Sequence, residues 1–215
     1  MKDVLIVQGG WEGHEPRQCA DFFAKILTLQ GYHVEVSATL DAFNDGDYLR
    51  RLSLIIPMWT MGKLNDVQET NLTGAVHSGT GLAGFHGGMG DAFRGSTPYQ
   101  WMVDGQFVAH PDNFKDYVVN IVQPNDEITA GITDFTVHSE QYYMLVDPHN
   151  QVLATTTHHS TSAPWINGAV MPAVWKKMHG SGRVFYSSLG HVRSEFDATP
   201  ALLELTVRGM EWAAR

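Results

Sequence analysis

Short apolar runs alternate with helical segments along residues 4–85, and no other feature of the chain limits its fold as strongly. The run at residues 4–7, Val-Leu-Ile-Val, is typical of a parallel strand that is covered on both faces. Strands are predicted at residues 4–7, 33–36, 52–56 and 82–85, and helices at 16–30 and 66–76. This alternation predicts an α/β fold: a doubly wound, mostly parallel central sheet with helices on both faces.

The second half of the chain is less regular, but it adds further strands and one long helix. Strands are predicted at residues 117–122, 152–157, 173–178 and 182–191, and a last helix at about 200–213. The strand at 182–191 carries His191 at its carboxyl end. Since no linker or repeat interrupts the 215 residues, we expect one domain spanning residues 1–215.

Composition and charge argue against several classes of function. The chain has 14 basic and 23 acidic side chains, a formal charge of −9 and no basic patch, so we expect no nucleic-acid partner. No apolar run approaches the roughly 18 residues of a membrane span, and a strand begins at residue 4, which leaves no room for a secretory signal. The single cysteine, Cys19, fits a reducing compartment, and its helical position predicts a buried structural thiol. We therefore expect a cytoplasmic protein without a membrane partner.

The segment Gly84-Phe85-His86-Gly87-Gly88 predicts a sharp turn from a strand into a helix. In a nucleophile elbow of this kind a Ser or Cys usually occupies the apex, which the turn lifts towards solvent in a cleft. Here the apex is His86. An imidazole at neutral pH is a proton shuttle or a metal ligand and only rarely a covalent nucleophile.

Three histidines follow predicted strands, at the edge where open α/β sheets bind their ligands. They are His14, His86 and His191. We expect them to converge, although His14 could instead cap a helix and His191 could be a satisfied residue at a strand end. The first loop lacks the G-x-G-x-x-G fingerprint because Gln8 stands where its first glycine belongs, so we expect no nucleotide cofactor.

Further polar residues are candidates for the same cleft. His138, Glu140 and Tyr142 share one face of an alternating segment, which is either a polar wall of the site or an exposed edge strand. His110 lies in a loop that could border the cleft. With Glu140, the histidines at 14, 86 and 191 could hold zinc or a similar divalent transition metal, although no tight ligand spacing such as H-E-x-x-H is present.

The glycine turn at 84–88 and the stretch Gly-Arg-Val-Phe-Tyr…Leu-Gly-His at 182–191 resemble the trehalose-utilisation, or ThuA-like, family. The resemblance spans nearly the whole chain and implies a class I glutamine amidotransferase-like, flavodoxin-related fold. His86 matches the position of the amidotransferase cysteine nucleophile, and His191 that of its catalytic histidine. Arg193 stands where the triad acid belongs, with Glu195 the nearest acid. Without the cysteine, glutaminase activity is not expected.

The resemblance also implies a role in disaccharide catabolism, alongside a sugar oxidoreductase that makes 3-keto sugars. A general base could then trigger elimination or isomerisation of a small carbohydrate ligand. In this hypothesis the base is His86 or His191, Glu140 assists, and a metal or His14 polarises the carbonyl. The candidate substrate-binding residues are Trp11, His110 and Tyr142, with Trp59 and Trp165 as further aromatic rings for stacking.

Two other hypotheses remain open at this point. The chain could be a non-catalytic sugar-binding or accessory protein on an amidotransferase scaffold. It could also be a broken glutaminase kept as a partner domain. A homodimer is expected only because many soluble enzymes form one.

Overall fold

A computed structural model describes residues 2–215, as a large mixed sheet with helices packed against both faces. The strands are β1 (Asp3–Gly10), β2 (His33–Ser37), β3 (Leu54–Thr60), β4 (Gly81–Phe85), β5 (Gly105–Ala109), β6 (Phe114–Ile121), β7 (Phe135–Glu140), β8 (Tyr143–Val146), β9 (Gln151–Thr157), β10 (Val170–His179) and β11 (Gly182–Ser187). The helices are α1 (Pro16–Leu29), α2 (Gly46–Arg51), α3 (Asp66–His77), α4 (His86–Gly90), α5 (Thr97–Val103), α6 (Arg193–Ala198) and α7 (Pro200–Ala213). Short 3-10 helices cover Glu12–His14, Leu40–Phe43 and Pro164–Ile166.

The nine-stranded sheet has the order β2-β1-β3-β4-β11-β10-β9-β6-β7, and β5 and β8 form a separate two-stranded sheet. The strands from β2 to β11 pair in parallel, whereas the pairs from β11 to β7 are antiparallel. The prediction of a mostly parallel sheet is therefore wrong. Only Gly180 and Ser181 connect β10 to β11, and a link this short can join only antiparallel neighbours.

Both faces of the parallel half are buried, as the apolar run at residues 4–7 predicts. Val4 and Ile6 pack in one core with Phe23 of α1 and Leu205 of α7. The alternate side chains of β1 pack in a second core on the opposite face, against α2, α3 and α5. The helices thus position the carboxyl edge of β1, β3, β4 and β11 as a rigid platform.

Two predicted strand ends are wrong. The strand predicted at residues 52–56 ends before Pro57, but β3 includes this proline and runs on to Thr60. Beyond Ile55, β3 no longer pairs with β4, so the missing N–H of Pro57 removes no bond on that side. The strand predicted at 182–191 ends at Ser187, and Gly190, at φ +90°, turns the chain so that His191 lies in the loop before α6.

Within residues 2–215, no helix combines the length and the apolar character that crossing a membrane requires.

Candidate functional site

The turn between β4 and α4 has the backbone of a strained elbow. Phe85 is extended, and His86 follows at φ +47°, in the left-handed region that a residue with a side chain seldom adopts. The hydroxyl of Tyr186 donates a hydrogen bond of 3.0 Å to the His86 carbonyl oxygen, which helps to hold this conformation. The expectation that the apex points to solvent is wrong, because neighbouring side chains cover the imidazole and leave His86 only 1% exposed.

Four side chains from distant parts of the chain meet at this elbow. The donor atoms of His14, His86, Glu140 and His191 all lie within 4.8 Å of one another. His14 closes the short helix after β1, and His86 follows β4. His191 lies in the loop after β11, and Glu140 is the last residue of β7. We call these four residues the histidine–glutamate cluster.

Three of the donor atoms form a nearly equilateral triangle. His86 Nε2 lies 3.3 Å from Glu140 Oε2 and 3.2 Å from His191 Nδ1, and the remaining side of the triangle measures 3.2 Å. Ligand atoms bound to a tetrahedral zinc ion at about 2.0–2.1 Å stand roughly 3.3 Å apart. The spacing of these side chains therefore fits the ligand shell of a zinc-like ion.

Hydrogen bonds outside the triangle orient two of the imidazoles. The backbone carbonyl oxygen of Ser188 lies 3.0 Å from His86 Nδ1, and because a carbonyl only accepts, this nitrogen carries the proton. In neutral His86 the lone pair is then on Nε2, towards Glu140. His14 Nδ1 lies 2.6 Å from the Thr60 hydroxyl, which leaves Nε2 as its available nitrogen.

Burial and charge set the protonation of the cluster. Burial, with the neighbouring imidazoles His86 and His191 adding to it, lowers the pKa of His14 to about 2. Burial also lowers the pKa of His86. For Glu140, burial raises the pKa, but the imidazoles of His191 and His86 beside it favour the charged carboxylate more strongly, and the net shift is downward. At neutral pH the cluster thus offers a carboxylate with neutral imidazoles at His14 and His86, a donor set that favours a cation.

Three other predicted site residues, Tyr142, His110 and Trp11, lie beside this cluster. Tyr142 stacks on His86 with 4.0 Å between ring centroids. His110 Nε2 lies 3.7 Å from Glu140 Oε1, the carboxylate oxygen that faces away from the triangle. The ring of Trp11 stands edge-on to His14 at 4.7 Å.

Of the two alternatives for the segment around His138, the exposed edge strand fits the structure and the polar wall is wrong. His138 does not form a wall with Glu140 and Tyr142, because its exposed ring bonds to Asp116 at 2.8 Å and β7 ends before Tyr142. Glu195 does not serve as a triad acid, since its carboxylate accepts a bond of 3.0 Å from the backbone N–H of His191 while Glu140 faces the ring.

Three contributing residues were missed by sequence reasoning. Thr60 ends β3, at the same carboxyl edge as the histidines, so strand position could have found it. Ser188 acts through its backbone carbonyl, which leaves no signal in the sequence. Phe114, at 4.7 Å from His191, begins a strand from the antiparallel half.

A small cavity beside the cluster is bordered by His14, Cys19, Thr60 and His86, and its volume is only about 10 Å³. That space is enough for roughly one water molecule or ion. A sugar ring is too large to enter it. Cys19 is buried as expected, and burial, with Glu15 and Glu195 nearby, raises the pKa of its thiol to about 12, which keeps it protonated.

Fold and site together define an α/β protein with three histidines and one glutamate gathered at the carboxyl edge of its sheet. The model of the ThuA family, described as trehalose utilisation, matches residues 3–213, so the chain belongs to that family. No curated protein matches the chain.

Solved structures share the fold over nearly the whole chain. A ThuA-like protein from Bacteroides uniformis has a TM-score of 0.81 at 18% identity, over 99% of this chain and 91% of its own. Another, from Parabacteroides merdae, has a TM-score of 0.77 at 17% identity, over 99% and 89%. A cytoplasmic protein from Salmonella typhimurium has a TM-score of 0.69 at 11% identity, over 99% and 100%. At these identities the likeness establishes the fold alone.

Proposed function

We propose that this protein is a sugar-catabolic enzyme that acts on a keto-sugar, such as a 3-keto disaccharide, by metal-assisted acid–base chemistry. Membership of a family described as trehalose utilisation supports a role in sugar metabolism. The observation that carries the proposal is the triangle of His86, Glu140 and His191. At neutral pH His86 presents a lone pair and Glu140 a negative charge to the same point, and a cation there would satisfy both.

The residues that would hold a divalent ion are His14, His86, Glu140 and His191. Such an ion supplies Lewis-acid polarisation of a sugar carbonyl. Both carboxylate oxygens of Glu140 face imidazoles and so orient these rings. Oε2 faces His86 and His191, and Oε1 faces His110. The side chains in these contacts come from the segments that follow β4, β5 and β11 and from the end of β7, so the fold, and not the substrate, orders the cluster.

His110 is the imidazole best placed to move a proton. Its ring is partly exposed, whereas the imidazoles of the cluster are buried, and Glu140 Oε1 can stabilise the charge it acquires. Phe107 and Tyr142 pack along the ring, at 5.7 and 6.4 Å between centroids, and orient it. We assign His110 as the general base.

In a 3-keto glycoside the ketone acidifies the C2–H bond, and the proposed step is an elimination. The C2 proton moves to His110 Nε2, the C–H electron pair forms a C1=C2 double bond, and the glycosidic C1–O bond breaks. His110 then returns the proton to the departing oxygen, which leaves as the hydroxyl of the second sugar. The elimination involves no oxidation and therefore cannot form the ketone itself. A sugar oxidoreductase has to oxidise the substrate before it reaches this enzyme.

The experiment is turnover of 3-keto-trehalose, followed by NMR with Mn²⁺ or Zn²⁺ added. We expect wild-type protein to release glucose. His110→Ala should lose at least about 100-fold in kcat and keep its metal, whereas His86→Ala should lose both activity and metal. The control is His33→Ala, an exposed histidine that pairs with Asp3 at the start of β1, away from the cluster, and it should match wild type. Absence of turnover by metal-loaded wild type contradicts the proposal.

The exposed ring of Trp11 beside His14 favours one alternative, a sugar-binding protein without catalytic activity. In that case trehalose or its 3-keto form would raise the melting temperature, no glucose would be released, and His110→Ala would change binding only.

A further inference from the structure

Two exposed aromatic rings border His191 at the surface of the site. Trp11 is 47% exposed and Phe114 is 45% exposed. Their ring centroids lie 6.3 and 4.7 Å from that of His191, and both rings stand steeply to it, at 67° and 86°. Single exposed aromatic side chains are common, but two on the same buried imidazole form a local apolar surface. We call Trp11 and Phe114 the aromatic pair.

The aromatic pair is held in place by the backbone around it. The ring of Trp11 lies against Gly13, where a Cβ atom would come within 2.4 Å of the indole. Phe114 begins β6 and pairs in register with Glu140, which ties it to the cluster. Rings fixed before a ligand arrives lose little entropy on binding.

The loop before Phe114 is strained and clamped. Asp112 and Asn113 adopt φ values of +69° and +55°, both in the left-handed region. The carboxylate of Asp112 accepts hydrogen bonds from the backbone N–H groups of Thr161 and Ser162, at 3.2 and 3.0 Å. This clamp compensates the strain and fixes the direction in which the chain enters β6.

The groups beside the aromatic pair decide what kind of ligand suits it. His138 stacks on Phe114 at 6.2 Å and bonds to Asp116, so hydrogen-bonding groups lie next to an apolar face. The carboxylates of Asp116 and Glu140 disfavour an anionic ligand such as a sugar phosphate. A neutral pyranose suits this surface, because its apolar C–H face can lie on the aromatic rings and its hydroxyl groups can bond to the polar side chains.

We propose that Trp11 and Phe114 form a second sugar subsite, in which a neutral pyranose ring stacks over His191. This subsite rests on the proposed function in one respect: the first ring of the same glycoside has to reach Glu140 and His110. The enzyme would then select disaccharides over keto-monosaccharides, by the contacts that the second ring makes.

The test is binding of trehalose to metal-free protein, measured by saturation-transfer NMR and by calorimetry. Trp11→Ala and Phe114→Ala should each weaken binding at least about fivefold, because each removes one stacking face. Trp11→Phe and Phe114→Tyr keep an aromatic ring and should stay within about twofold of wild type. Trp101→Ala is the matched control, since Trp101 is 66% exposed and lies away from the cluster.

The outcomes separate this subsite from the proposed chemistry. The subsite is overturned if both alanine variants bind trehalose like wild type. It is also overturned if wild-type protein takes up metal but does not bind trehalose. Binding that falls in the alanine variants and not in Trp101→Ala supports it. Trehalose binding with no metal uptake and no turnover contradicts the proposed function and leaves the subsite standing.

Discussion

Replacing Gly87 with alanine would place a methyl group against the His14 imidazole. A Cβ atom at Gly87 would lie 2.3 Å from His14 Cε1, 2.6 Å from His14 Nδ1 and 3.0 Å from the Tyr142 hydroxyl oxygen. Carbon atoms in contact stand roughly 3.5–4.0 Å apart, so the His14 ring must retreat by about 1 Å. That movement breaks the 2.6 Å bond between His14 and Thr60.

The expected cost follows from these contacts. Overpacking in a buried site costs about 1–3 kcal/mol, and the lost hydrogen bond about 1 kcal/mol more. The backbone of Gly87 is not in the left-handed region, so alanine itself returns about 0.4–1 kcal/mol by restricting the unfolded chain. We therefore expect Gly87→Ala to lower the free energy of unfolding by roughly 1–4 kcal/mol and to weaken metal binding about 10–100-fold.

Urea unfolding and metal titration of the same variants test this. Gly74→Ala is the matched control, because it is also helical but has no atom within 4 Å of the added methyl group, and it should stabilise the protein slightly. The double variant Gly87→Ala with His14→Ala should recover stability, since the clash partner is gone. If Gly87→Ala binds metal like wild type, or if removing the His14 ring restores none of the lost stability, a clash with His14 is not the cause of the change.

Three further predictions concern the surroundings of the cluster. Thr60→Val should weaken metal binding roughly 10-fold in calorimetry, whereas Thr60→Ser, which keeps the hydroxyl that orients His14, should not. Because the pKa of His14 is about 2 in the folded protein and about 6.5 when unfolded, the unfolded chain binds more protons at acidic pH, and stability is lost as pH falls below about 6.5. Urea unfolding of metal-free protein should show a loss of about 2 kcal/mol between pH 7 and 5, and a flatter slope in His14→Gln. Iodoacetamide at neutral pH should leave Cys19 unmodified in the folded protein, as mass spectrometry will show, and modification without unfolding would contradict its burial.

The parallel half of the fold was predictable because each of its strands carries its own signal. The apolar run at residues 4–7 indicates burial on both faces, and β1 has that burial. The glycines around His86 indicate an elbow, and the rule that ligands bind beyond the carboxyl ends of strands selected His14 and His191. Local patterns and this one topological rule were therefore enough to predict that the three imidazoles meet.

The antiparallel half was not predictable to the same degree. Glu140 lies on β7, at the end of the sheet order, yet its carboxylate reaches His86. That approach depends on how the distant half of the sheet lies against the elbow, which no local pattern of residues encodes. Alternation along the strand placed His138 with Glu140, but Ser139 is buried and His138 is exposed.

The measurement that tests the account most directly is the metal content of untagged, chelator-free protein, for wild type and for His86→Ala. We expect about one equivalent of a divalent transition metal in wild type and none in the variant, because His86 Nε2 is a corner of the donor triangle. Gly74→Ala should retain the wild-type value. Metal-free wild type that also fails to bind added Zn²⁺ or Mn²⁺, or equal metal content in His86→Ala, would contradict the account.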